Sequence, residues 1–285
     1  MEINFEKYAV AYLDILGFSE FIKKAENSQK ALKILDTLLN RIITKQIQAD
    51  EINICFPKQL KLECLSFSDS IVISAPVGTA ISPFYPALIA VSIKAIQIAH
   101  ALLGRGFLVR GAISVGNVHR SESNIVGTGY QDAVKGEQSA IYPKIMLNHS
   151  AESHLNELVR NGMTRFSIFS KDEHGKVILN SIYPSEYYVD DQSKPITKYY
   201  SIYKKYILQN MDKGKLENKD KDKWCWIAKL FNSNVNCFSE LNGIPPIRIP
   251  EIVPNYLNPE KESTWFGDAF TEPPLYVSSN LSNGR

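Results

Sequence analysis

Two carboxylates set among apolar residues are the side chains of this sequence best suited to chemistry. Asp14 interrupts residues 8–15 (YAVAYLDI), an aromatic and branched run that ends before Gly17 and reads as a buried strand. Asp69 stands with Ser68 between two further strand-like runs, residues 60–67 and 70–75, at the spacing of a hairpin. If those strands are neighbours, the two acids meet at one edge of a sheet. Carboxylates so close repel unless a cation joins them, and hard oxygen ligands suit Mg²⁺ or Mn²⁺ together with phosphate oxygens. The chemistry such a pair serves is phosphoryl transfer. Taken singly, Asp14 equally suits a cap on the following helix and Asp69 a turn.

The elements that must position these acids follow from periodicity. Residues 19–25 and 28–48 repeat leucine and isoleucine at helical spacing, with Ser28 as an N-cap. Residues 87–103 (ALIAVSIKAIQIAHALL) form a core helix whose Lys94, Gln97 and His100, at three-residue steps, mark one wet edge. They also make it unsuited to spanning a membrane. A strand over 107–115, a turn at Gly116-Asn117, a helix over 127–140, a strand over 142–147 and a helix over 150–160 complete the first part. This order is α+β, and it fits a ferredoxin-like core in which an antiparallel sheet is covered by helices. Beyond residue 163 the texture changes. A hairpin of residues 166–169 and 177–182, a tyrosine-rich helix over 196–211, a lysine-rich solvated loop over 212–223, a short aromatic helix over 224–231 and an extended proline-rich arm over 244–254 are expected. The chain therefore divides into residues 1–163, which hold the two acids, and 164–285, a helical extension and tail packed on that core.

Composition removes several functional classes. Lys and Arg number 32 against 30 acids, a net charge of +2, too balanced for a dedicated nucleic-acid or membrane-surface binder. Cys55, Cys64, Cys225 and Cys237 contain no CxxC and no paired histidine, so they read as reduced thiols of a cytoplasmic protein. The first residues lack the pattern of an export signal. His149 and His154 are five apart and do not form a ligand pair on a helix, no GxSxG elbow is present, and Gly127-Thr128-Gly129 lacks the GK[ST] ending of a phosphate loop.

Several ordered features together resemble a known family. The run Tyr12-Leu13-Asp14-Ile15-Leu16-Gly17-Phe18 resembles the first-strand signature of the class III nucleotide cyclases, and Asp69 falls where their second metal aspartate falls, with Ser68 in place of the usual glycine. Residues 109–118 (VRGAISVGNV) resemble the later strand and turn of that family, so the likeness covers roughly residues 8–147. A helix of the family carries an asparagine and, four residues on, an arginine; Gln131 and Lys135 hold those positions here. Spacing and chemical type match while identity does not, and lysine is a point charge where arginine grips bidentately. Leu65 occupies the position at which purine cyclases read the base, and Leu65 has no polar atom with which to do so. With Ser66-Phe67-Ser68-Asp69-Ser70 and a tryptophan-bearing C-terminal helix, the chain looks most like the bacterial pyrimidine cyclases of antiphage signalling.

That resemblance implies a ferredoxin-like cyclase core and conversion of UTP or CTP to a 3′,5′-cyclic monophosphate, cUMP or cCMP, that activates a separate effector. It implies two Mn²⁺ or Mg²⁺ ions on Asp14, Asp69 and the backbone carbonyl of Ile15, with Phe18, Leu65 and Arg110 around the nucleotide. Gln131 would orient the ribose and Lys135 would neutralise the α-phosphate from a second chain, giving a head-to-tail homodimer with two composite sites. A degenerate cyclase-fold sensor that holds a nucleotide without turnover, a purine cyclase, and another two-metal transferase are the competing expectations.

Overall fold

In a computed structural model the described residues are 3–39, 62–79, 86–162, 168–172, 174–189, 193–212 and 218–249. The first strand is β1 (Glu6–Leu16), followed by helices α1 (Phe18–Glu26) and α2 (Gln29–Asp36). A hairpin of β2 (Glu63–Phe67) and β3 (Ser70–Pro76) leads to α3 (Ala87–Leu103), then β4 (Leu108–Arg120), β5 (Ile125–Val126), α4 (Thr128–Ser139), β6 (Ile145–Leu147) and α5 (His149–Arg160). The remainder contributes β7 (Phe169–Lys171), β8 (Val177–Leu179), α6 (Ile196–Met211) and α7 (Asn218–Cys237). The protein is α+β, with an eight-stranded sheet in the order β2-β3-β1-β4-β6-β8-β7, β5 pairing separately with β4. Only the β4–β6 step is parallel.

Alternation along β1 explains how two layers form on this sheet. Ala9, Ala11, Leu13 and Ile15 belong to the main core with the wholly buried helix α3. Val10 faces the other way and packs with Val72, Val118, Ile125 and Ala133, and Tyr8, Tyr12, Leu65 and Tyr130 close around this second cluster. Helix α4 therefore lies on the face opposite α3, over β4 and β1. Its approach requires small residues: a Cβ on Gly116 would stand 2.8 Å from the Cα of Gly129, and one on Gly136 would stand 2.5 Å from the Cβ of Ala112. Asp14, with the even-numbered residues of β1, shares the α4 face.

The expected wet edge of α3 is dry. Lys94, Gln97 and His100 are 0%, 4% and 1% exposed. The reason is the later part of the chain: His100 meets the Tyr203 hydroxyl through Nδ1 at 2.7 Å and the Tyr183 carbonyl through Nε2 at 2.9 Å. The lysine-rich stretch also differs from expectation, since residues 218–223 form the opening turns of α7 rather than a solvated loop. Lys223 pairs with Asp220 one helical turn away at 3.0 Å, and the aromatic residues that follow are buried in the core. Tyr200, Asn234, Asn180 and the Ile182 carbonyl form a buried hydrogen-bonded knot between α6, α7 and the end of β8. The extended arm lies on α6 and α7: Lys204 donates to the Pro245 carbonyl at 2.5 Å, and Asn232 exchanges two hydrogen bonds with the backbone of Ile247. The second half of the 28–48 helix, the start of the 166–169 strand and the arm from residue 250 lie outside the described residues. Among the described residues no helix is long and apolar enough to cross a membrane.

The β7–β8 turn is held by a buried ion pair, Lys144 Nζ to Asp172 Oδ2 at 2.8 Å, with the amides of His174 and Lys176 donating to Asp172 Oδ1. Burial opposes ionisation of Asp172, yet Lys144 and the backbone donors outweigh it and hold the carboxyl below its ordinary value. A depressed carboxyl adds stability that is present above about pH 4, its unfolded value, and is lost as pH falls through the lower folded value. Asp172→Asn, which leaves Lys144 buried without its counter-charge, is expected to lower unfolding stability at pH 7 by about 3 kcal/mol and to remove this contribution to the acid limb. Urea titrations between pH 3 and pH 7 check both; wild-type stability in the variant would contradict them.

Candidate active site

The two acids identified from the sequence come together through the backbone. Asp14 lies in β1 between Ser70 of β3 and Arg110 of β4 in the strand register. Asp69 sits in the β2–β3 turn, and its carbonyl accepts the amide of Ile15 at 3.0 Å. That bond clips the hairpin tip to the residue following Asp14. Ser68, just before Asp69, takes a φ of 56°, the left-handed conformation that glycine adopts without steric cost. Ser68→Gly is expected to raise unfolding stability by about 0.5–1 kcal/mol, visible as a higher urea midpoint at unchanged slope.

Arg110 anchors the carboxylate cluster. Its Nε donates to Asp14 Oδ2 at 3.1 Å and stands 2.5 Å from Glu137 Oε1, while Nη1 donates to the Ala140 carbonyl at 3.2 Å. Strand β4 supplies the guanidinium and α4 the second acid, so this one side chain ties α4 to the end of β1 that carries the site. Burial raises the Asp14 carboxyl above its ordinary value; Arg110 opposes the rise and the negative charge of Asp69 adds to it. Lys223 at the start of α7 exerts a weaker opposing influence. Glu137 is raised in the same way, first by burial, against Arg110, and then by Asp14 and Asp69.

Glu137 was not apparent in the sequence as a site residue. It is 5% exposed. The signal that could have found it is an acid in an otherwise small and apolar helical stripe, with Gly129 and Ala133 buried at four-residue steps before it. An acid at such a position needs a cation beneath it.

The other expected residues fall in different places. Ile15 and Phe18 are buried in the main core, Phe18 with 4% exposure. Leu65 is half-buried on β2, on the Asp14 face of the sheet, against the second cluster. Gln131 is exposed on α4, and Lys135 is 74% exposed and reaches only Asp132, at 3.8 Å. The chain thus brings Asp14, Asp69, Arg110 and Glu137 together and leaves Gln131 and Lys135 in solvent. Beside the acids, the Tyr12 hydroxyl and Ser70 Oγ are 2.6 Å apart, and the Tyr12 and Tyr130 rings meet edge to face at 6.1 Å.

Two carboxylates on one guanidinium, with Asp69 near enough to lift both Asp14 and Glu137, leave an excess of negative charge. That donor set fits a hard divalent cation. Among the described residues no three His, Cys, Asp or Glu side chains converge to enclose an ion on their own. A cation here would be held by two carboxylates and backbone, with ligand oxygens completing its shell, the arrangement Mg²⁺ prefers in phosphate chemistry.

No protein-family model matches the chain. No curated protein matches it either. Among solved structures it is similar to the monomeric guanylyl cyclase domain of the RhoGC fusion protein from the aquatic fungus Blastocladiella emersonii, at 13% identity over 62% of this chain and 96% of that one, with a TM-score of 0.42. An adenylate/guanylate cyclase/hydrolase from Silicibacter pomeroyi shares 13% identity over 60% of this chain and 88% of that one, with a TM-score of 0.39. A class III adenylyl cyclase-like ATP-binding protein from Pseudomonas aeruginosa shares 14% identity over 52% of this chain and 34% of that one, with a TM-score of 0.36.

The raised carboxyls carry a pH dependence. A carboxyl held above its ordinary value binds its proton more tightly folded than unfolded, so stability falls as pH rises from about 4 through the folded values. Glu137→Gln removes one contributor and is expected to make that fall shallower when stability is measured in a metal chelator. An unchanged slope would show that Glu137 ionises as freely in the fold as in the unfolded chain.

Proposed function

We propose that this protein is a metal-dependent nucleotide cyclase that converts a pyrimidine nucleoside triphosphate, UTP or CTP, to its 3′,5′-cyclic monophosphate and pyrophosphate. The observation that carries the reading is the juxtaposition of Asp14 and Asp69 through the Ile15 amide, with Arg110 and Glu137 against them. The ordered sequence resemblance to class III nucleotide cyclases over residues 8–147 supports it, and Leu65 at the base-reading position supports a pyrimidine over a purine.

Asp14, Asp69 and the Ile15 carbonyl would hold two Mn²⁺ or Mg²⁺ ions. Bound there, the ions supply Lewis acidity at the ribose 3′-oxygen and neutralise the triphosphate. The 3′-hydroxyl gives up its proton to water, the new bond joins the 3′-oxygen to the α-phosphorus, the bond from that phosphorus to the bridging oxygen breaks, and the electron pair leaves with pyrophosphate. Arg110, fixed by Glu137, holds the Asp14 carboxylate in position. Gln131 and Lys135, exposed on α4, would act on the ribose and α-phosphate of a second chain's site, so the working form is a head-to-tail homodimer with two composite sites. Residues 1–163 would form the catalytic part, with 164–285 as a supporting extension. The cyclic product would act as a cytoplasmic second messenger to a separate effector in antiphage defence.

A sensor that binds the nucleotide without turning it over is the second reading. The engagement of Asp14 by Arg110 and the Gln131 and Lys135 identities favour it. Purified protein incubated with each of the four nucleoside triphosphates and Mn²⁺ decides between them: cyclic UMP or cyclic CMP with stoichiometric pyrophosphate is expected. Product from none of the four would reject the cyclase reading, and product from ATP or GTP alone would replace the pyrimidine by a purine. Asp14→Ala and Asp69→Ala are each expected to lower turnover at least about a thousandfold in a folded protein. Lys135→Ala should reduce kcat more than nucleotide affinity, because the charge it meets develops in the transition state.

A further inference from the structure

Helix α2 is amphipathic, yet it buries none of its residues. Leu32 and Ile34 are 47% and 39% exposed, alongside Lys30 and Lys33 of the same helix. Between α2 and α1 opens a cleft of about 470 Å³. Ala31 and Ile34 give it an apolar wall, and Lys23, Lys24 and Lys30 stand around it. Lys23 pairs with Glu20 at 2.7 Å, whereas Lys24 and Lys30 form no ion pair among the described residues. An apolar slot rimmed by unanswered positive charge suits a partner that is itself both apolar and acidic.

The chain contains such a segment beyond the last described residue, Ile249. Residues 262–276 (ESTWFGDAFTEPPLY) set Trp265, Phe266 and Phe270 among Glu262, Asp268 and Glu272, and no Lys or Arg occurs from 262 to 284. Aromatic side chains are the usual anchors of a groove, and flanking acids answer lysines on its rim. Reach is no obstacle. Extended chain spans about 3.3 Å per residue, so the stretch that begins at residue 250 can meet any surface of a domain about 50 Å across. Tethering also presents it to the cleft at an effective concentration of about millimolar, which an untethered acidic segment must match to displace it.

We infer that the acidic aromatic segment 262–276 of this chain docks in the α1–α2 cleft, with an aromatic side chain against Ala31 and Ile34 and its acids facing Lys24 and Lys30. The docking covers the exposed side of α2 and fastens the end of the chain to the helix pair that follows the Asp14 strand. It is independent of the nucleotide reading, since none of these residues belongs to the carboxylate cluster.

Tryptophan fluorescence of the full chain reads this contact. Trp224 and Trp226 are buried in the core, so quenching by acrylamide, a neutral probe, reports chiefly Trp265, and Trp265→Phe supplies the background. Trp265 is expected to be shielded in the wild type. Lys23→Glu/Lys24→Glu/Lys30→Glu should raise its quenching constant at least about twofold, because like charges then face each other across the contact. Adding Glu262→Lys/Asp268→Lys/Glu272→Lys to that variant should restore the shielding, which a general loss of structure cannot do. Melting curves confirm that the variants are folded. A Trp265 quenched as freely in the wild type as in the charge-reversed protein overturns the inference, and so does shielding that survives the reversal. Shielding that grows with protein concentration also overturns it, by assigning the cleft to the tail of a second copy. Shielding that is lost on reversal, regained on the swap and constant over about a hundredfold range of concentration upholds it.

Discussion

The ion pairing of Arg110 with both Asp14 and Glu137 is the constraint on which this architecture turns. A guanidinium is the one side chain that stays charged in a half-buried setting and presents several donors from one plane, so it can serve acids on two elements at once. Without it, Glu137 could not lie beneath α4 and Asp14 could not face the same layer, because burial already pushes both carboxyls toward protonation. The glycines that let α4 sit against β4 matter for the same reason. They bring Glu137 within 2.5 Å of a strand residue rather than a side-chain length above it. Local packing and site electrostatics are thus one arrangement seen from two sides.

The two faces of the sheet divide the labour. Helix α3 fills one face with aliphatic side chains, and Tyr183 and Tyr203 cover its His100. The other face carries everything polar in the candidate site, in a graded order from the charged end at Asp14 to the neutral Tyr12 and Tyr130. The extension contributes more than cover. Lys223, at the opening of α7, pairs with Asp220 and exerts the weakest of the influences on the Asp14 carboxyl.

Much of this was legible in the sequence, for identifiable reasons. The strand over residues 8–15, the helix over 196–211 and the hairpin carrying Asp69 have strong local signals: alternation, helical spacing of aromatics and a two-residue polar turn. The pairing of Asp14 with Asp69 followed from strand order alone. What sequence pattern concealed was anything decided by distant packing. Lys94, Gln97 and His100 look like a solvent edge because spacing reports a face, not what covers it, and over His100 the cover comes from Tyr183 and Tyr203, 83 and 103 positions later. Glu137 was hidden because a lone acid on a helix is ordinarily solvated; only the proximity of Arg110, which β4 delivers, makes it a buried partner. The αL conformation of Ser68 was hidden, because a serine gives no sign of it by itself.

The separation of the site residues along the chain has a consequence for how the protein matures. Asp14 and Arg110 lie 96 positions apart and meet only when β1 has paired with β4, whereas Ile15 meets Asp69 through the β1–β3 pairing. Such non-local pairings are paid in loop-closure entropy before they yield contacts, and they form late. A chain emerging from the ribosome therefore holds Asp14 without its guanidinium partner until β4 has been made. The carboxylate cluster is therefore complete only once a strand made well after β1 has returned to pair with it.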